Sequence, residues 1–148
     1  MYLLSILLLM IFCIGFSIWT SGGNILYYLD PISLILVLLL VLPILISAGL
    51  LKDFNNAFRL SVIHKSACSR PELQRAIEAV NLTIKALWAS GIFHSIFGVI
   101  HVTVTMEGEV IFRAVSISLI TLLYAAFFVI MLLPLRSRLL VQLHELPE

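Results

Sequence analysis

The chain is 148 residues long, 61% hydrophobic and only 11% charged, with a formal net charge of +1. An ordinary soluble domain carries about 25% charged residues. With a mean hydropathy of +1.14, the composition points to an integral membrane protein and leaves no room for a separate soluble domain of normal size. The near-neutral balance excludes an extended basic surface for nucleic acid.

Residues 2–19 read as a first membrane span. A cleaved signal peptide is the competing reading, but the start carries no Lys or Arg and no small-x-small cleavage pattern follows. Trp19 suits the interface at the exit. The loop TSGGNILYYLDP, with Tyr27, Tyr28 and Asp30, reads as a tight re-entry with an aromatic belt. Residues 32–51 form the second predicted span. Pro31 fits its first turn, where the missing N–H is harmless, and Pro43 inside it predicts a kink.

Residues 52–85 differ in kind. They hold Lys52, Arg59, Lys65, Arg70, Arg75 and Lys85 against Asp53, Glu72 and Glu78. The simplest reading is a solvated cytoplasmic face, with lipid-headgroup binding as the alternative. Residues 53–66 read as a short amphipathic piece with Phe54, Phe58, Leu60 and Val62. Ser69-Arg70-Pro71-Glu72 has the capping-box pattern that starts a helix. Leu73, Ile77, Val80, Ile84 and Leu87 then recur at helical spacing with no breaker before the third span. The pattern predicts one helix from about Arg70 to about Thr105, half of it outside the membrane.

The third span, residues 86–105, carries its polar and small residues on one side. Gly91, His94, Ser95, Gly98, His101 and Thr105 fall within an arc of roughly 120°. Such a stripe either packs against another helix of the same molecule or lines a path or partner-binding bore. Met106-Glu107-Gly108-Glu109 reads as an acidic turn. Residues 115–133 form the fourth span, with hydroxyls at Ser116, Ser118, Thr121 and Tyr124. Pro134 is expected to end it, ahead of Arg136 and Arg138. The positive-inside rule places both termini and residues 52–85 in the cytoplasm.

Within the four predicted spans there is no acid, so His94 and His101 are the ionisable candidates for an ion path. They lie about two turns apart on one face. A neutral imidazole bonded to a nearby carbonyl is the plain alternative. Metal binding by this pair alone falls short of the four ligands of a closed site. Cys13 and Cys68, one in an apolar stretch and one in a basic loop, suggest neither a disulfide framework nor a metal site. There is no phosphate-binding loop, H-E-x-x-H or nucleophile elbow, so no enzyme and no cofactor is expected.

Two sets of residues carry a resemblance. Gly22 to Arg59 contains LDPISLILVLLLVLPILISAGLLKDFNNAFR. The third span reads Gly91-Ile92-Phe93-His94-Ser95-Ile96-Phe97-Gly98. Together they resemble the MotA/TolQ/ExbB proton-channel family, closest to a minimal MotA-like stator subunit lacking the large cytoplasmic domain. The family pattern in the third span is Gly-x-x-Gly-Thr-x-x-Gly. Gly91 and Gly98 match it, Ser95 keeps the hydroxyl, and His94 replaces a glycine. Thr121 and the stretch Leu132 to Leu139 resemble the family's fourth span.

The resemblance implies an all-α integral membrane protein with four transmembrane helices, the third extended into the cytoplasm, in a ring-forming oligomer. It implies a homopentamer in the bacterial inner membrane, surrounding the helices of a MotB/ExbD/TolR-like single-span partner that carries a membrane-embedded Asp. Spans three and four would line the bore, with Ser95 as its hydroxyl and His94, His101, Thr105 and Thr121 facing the ion path or the partner. Gly91 and Gly98 would be close-packing positions. Ion flow would ratchet the ring around the partner. The short 52–85 segment argues against torque on a flagellar rotor. A non-conducting scaffold that clamps a partner helix is the alternative, and a channel built on His94 and His101 without a partner is a third.

Overall fold

The computed structural model describes residues 2–20, 22, 24, 28–61, 69–108 and 110–145. Among them every regular element is helical: α1 (Tyr2–Thr20), α2 (Pro31–Ser47), α3 (Leu51–Leu60), α4 (Arg70–Thr105) and α5 (Val110–Glu145). Gly23, Tyr27, Cys68 and Glu109 of the predicted loops and turns, and Val62 and Lys65 of the predicted amphipathic piece 53–66, lie outside the described residues.

An antiparallel hairpin of two 36-residue helices, α4 and α5, organises the molecule. Each extends roughly 54 Å at 1.5 Å per residue. Gly108 turns the connection with a φ of 72°, a left-handed conformation that only a residue without Cβ adopts freely. α4 starts at the capping box: the Ser69 backbone N–H donates to Glu72 Oε2 at 3.3 Å. It then runs without interruption to Thr105.

The second predicted span is corrected. α2 ends at Ser47, and α3 leaves at 99° to it. Gly49 takes a φ of 67°, and the Leu50 N–H returns to the Leu45 carbonyl. That left-handed glycine closes the helix. Leu51 therefore opens α3 instead of ending α2. α3 is amphipathic, with Ala57 and Leu60 buried and Lys52 and Arg59 exposed.

Pro134 is also corrected. α5 continues through it to Glu145. Proline deprives the Ile130 carbonyl of its intrahelical donor. The helix is held across that defect by packing, because Leu132, Leu135 and Leu139 are buried in the core. Pro43 lies inside α2, on its exposed side.

The core gathers Val37, Val41 and Leu45 of α2 with Val80 and Leu87 of α4 and Val129 of α5. It occupies the half of the hairpin next to the α2–α3 elbow. Toward the Gly108 turn, α4 and α5 carry exposed apolar side chains such as Ile100, Val104 and Phe112. Among the described residues two helices, α4 and α5, are long and apolar enough to cross a membrane. α2 and α3 reach that length only as a bent pair.

Candidate functional site: the α4–α5 seam

Small residues set how closely α4 and α5 approach. A Cβ at Gly91 would collide with the Ala125 Cβ, and one at Gly98 would sit 2.7 Å from Ser118 Oγ. Between these two glycines, Ser95 Oγ meets Thr121 Oγ1 at 3.3 Å, and both residues are buried. The Thr121 hydroxyl donates its proton to the Ser118 carbonyl. With that proton committed, Thr121 Oγ1 accepts from Ser95, because a hydroxyl carries one donor and two acceptor lone pairs. Separately, Ser118 Oγ donates to the Ala114 carbonyl at 3.1 Å. The seam thus holds one hydroxyl pair, Ser95 and Thr121, whose outgoing proton ends on the Ser118 backbone carbonyl.

The stripe seen in the sequence divides. Gly91, Ser95 and Gly98 face α5, so for them packing within the molecule is what the structure displays. His94 is half-buried, with Nδ1 3.0 Å from the Ser90 carbonyl. The carbonyl can only accept, so Nδ1 carries a proton in this contact. His101 is exposed and stacks on Phe97 with ring centroids 6.5 Å apart. Thr105 is exposed and donates to the His101 carbonyl of its own helix. The two imidazoles therefore do not share the seam.

A shallow apolar groove of about 270 Å³ runs beside the seam. Ile92, Ile96 and Ile100 of α4 and Leu119 and Leu122 of α5 line it, and Ser95 lies in its wall. At the elbow end a second, polar cleft of about 530 Å³ brings together Asp53, Arg75, Glu78 and Lys85. Beyond it, the Glu72 carboxyl is held below its usual range. The Ser69 hydroxyl is the main cause, followed by the Ser69 backbone N–H and the charge of Arg59.

Sequence reasoning misses three participants. Ser90 is buried and donates to the Val37 carbonyl at 3.0 Å, tying α4 to α2. Its signal is a hydroxyl one residue before Gly91. Ala125 forms the other side of the Gly91 contact, and the small pair Ala125-Ala126 in an otherwise bulky span marks it. The third is Asp30. Its backbone N–H donates to Tyr124 Oη at 3.0 Å, and the Tyr124 hydroxyl donates to the Tyr28 carbonyl at 2.7 Å. Residues 28–30, the described end of the segment expected as an outer loop, are thereby docked against the middle of α5. No protein-family model, curated protein or solved structure matches the chain.

Proposed function

We propose that the chain is the ring-forming membrane subunit of an ion-driven motor complex, surrounding a partner's transmembrane helices and lining the ion path. The observation that carries this reading is the apolar groove along α4 and α5 with Ser95 in its wall. An apolar surface with one hydroxyl, backed by the Ser95–Thr121 pair, suits a partner helix with a single embedded carboxyl group. In this reading α1 and α2 complete a four-span bundle, α3 lies along the cytoplasmic surface, and the Arg70 end of α4 projects into the cytoplasm. The assembly is a homopentamer in a bacterial inner membrane. The third-span pattern Gly91, Ser95 and Gly98 supports the family resemblance on which the subunit number rests.

A second reading is favoured by one specific observation. The Ser95 and Thr121 hydroxyls already bond each other within one subunit. That suits a non-conducting scaffold whose bore is a dry collar around a partner helix.

Native mass spectrometry of the chain purified with its membrane partner tests both. Five copies around a partner with an embedded Asp or Glu support the motor. A ring around a partner with no ionisable group in its span supports the scaffold. A monomeric chain overturns both.

A further inference from the structure

The geometry points to Asp30 as a proton-accepting carboxyl group held at membrane depth by this chain itself. The inference rests on the membrane-spanning reading of α4 and α5, and not on the ring or the motor. Tyr124 lies about four turns (~21 Å) into α5 from its start at Val110. Its side chain leans back toward the helix start, which recovers less than about two turns (~11 Å). Asp30, bonded to the phenol through its backbone, therefore sits on the order of 10 Å inside the Val110 end. Between Arg113 and Arg136 α5 carries no charged residue. Asp30 thus lies beside the uncharged part of α5, about one turn nearer the Val110 end than Thr121.

Helix capping does not account for an acid at this place. Asp30 caps α2: Oδ1 accepts from the Ile32 N–H at 3.1 Å and Oδ2 from the Ser33 hydroxyl at 2.6 Å. Asn and Ser cap helices about as well as Asp. At membrane depth a neutral cap avoids the cost of an ionisable one. An acid here is explained by a charge that comes and goes.

The seat suits both forms of the group. As a carboxylate it is held by Ile32 and Ser33. When a proton arrives from water at the outer face, an O–H bond forms at Oδ2. The Ser33 hydroxyl then rotates and becomes the acceptor. Release is the reverse, and no other bond changes. Ser33 is buried, so its hydroxyl stays available to the carboxyl in either state. Toward the Gly108 end, the titratable and charged groups on the elements around α2 are His94 and His101 on α4, Arg113 and Tyr124 on α5 and Cys13 on α1, with Tyr28 two residues before Asp30. Tyr124 touches the Asp30 backbone, and the His94 Nδ1–H is committed to Ser90. The charged Lys52, Asp53 and Arg59 of α3 lie at the opposite end of α2.

The test is covalent labelling of the full chain in phosphatidylcholine–phosphatidylglycerol vesicles. Dicyclohexylcarbodiimide adds to protonated carboxyl groups in apolar surroundings, and peptide mass spectrometry locates the adduct. The expected result is an adduct on Asp30 that diminishes as pH rises and is lost in Asp30→Asn and Asp30→Ser. Both variants keep the helix cap, so an unchanged helical circular dichroism spectrum verifies that they fold. No adduct on Asp30 at any pH overturns the inference. So does modification of Asp30 by a water-soluble carbodiimide with an amine as readily as the exposed Glu72. Labelled Asp30 in a chain that forms no ring sinks the motor reading alone. A conducting ring with unlabelled Asp30 sinks this inference alone.

Discussion

Ser95 donates its hydroxyl proton to Thr121 across the α4–α5 seam at 3.3 Å, because Thr121 has already given its own to Ser118. The pair is the polar centre of an otherwise small and apolar contact. Removing the donor leaves Thr121 Oγ1 with its outgoing bond only. Ser95→Ala is therefore expected to cost about 1 kcal/mol of stability and to leave assembly intact, while ion flux of the reconstituted complex falls. Vesicle flux at the wild-type rate in that variant removes Ser95 from the ion path.

The two seam glycines are not equivalent. An added Cβ at Gly91 strikes the Cβ of Ala125, which has no rotamer to escape into. One at Gly98 strikes mainly the hydroxyl and Cβ of Ser118. Gly91→Ala is expected to destabilise by about 1–3 kcal/mol through overpacking, and Gly98→Ala by less. Ala125→Gly should restore the Gly91→Ala variant. Thermal unfolding in detergent measures all of these, and equal losses at the two glycines would contradict the seam geometry.

Part of this arrangement is legible in the amino-acid sequence. The capping box at Ser69 and the unbroken apolar spacing mark the helix from Arg70 to Thr105 because both signals are local. Helical phase alone puts Gly91 and Gly98 on one face and leaves open whether that face packs against a helix of the same molecule or lines a bore. The break at Gly49 is hidden because Ile44 to Leu51 stays apolar on both sides of it. Hydropathy cannot distinguish a span from a span that turns. Pro134 reads as a stop because proline breaks isolated helices. Burial of Leu135 and Leu139, a tertiary effect, carries α5 through it. The depth of Asp30 depends on where its loop docks, and a Tyr124 bond between residues 94 positions apart leaves no local trace.

Tyr124 is the pin of that docking. It accepts from the Asp30 N–H and donates to the Tyr28 carbonyl. Tyr124→Phe keeps the ring and removes both bonds, leaving two backbone groups to find new partners. A cost of about 1–3 kcal/mol is expected. Amide exchange at Asp30 should quicken, while exchange in the Arg70–Lys85 part of α4 stays unchanged. Unaltered protection at Asp30 would show that the loop is held by something else.

Pro134 offers a test of how the packing holds α5. Pro134→Ala supplies the N–H that the Ile130 carbonyl lacks and a residue of far better helix propensity. Because the helix already runs through this position, no rearrangement is needed to collect the gain. The variant is expected to unfold at a higher temperature than the wild type, with the same helix content by circular dichroism. A lower unfolding temperature would mean that the proline shapes a bend on which the Leu135 and Leu139 packing depends.

The start of α4 should respond to acid. The Ser69 hydroxyl and backbone N–H favour the ionised Glu72, so its carboxyl titrates lower in the folded chain than in the unfolded one. A depressed folded value gives stabilisation that is present above the unfolded value and lost as pH falls through the folded one. Acid should therefore fray the first turn of α4 while its buried middle stays protected. Glu72→Gln, which retains a capping-box side chain without a charge, should have a weaker helix start at neutral pH and lose the acid dependence. Amide protection at Ser69 and the first turn, compared between wild type and variant across the acid range, reads this directly. A parallel loss of protection in both proteins would show that Glu72 does not secure the start of α4.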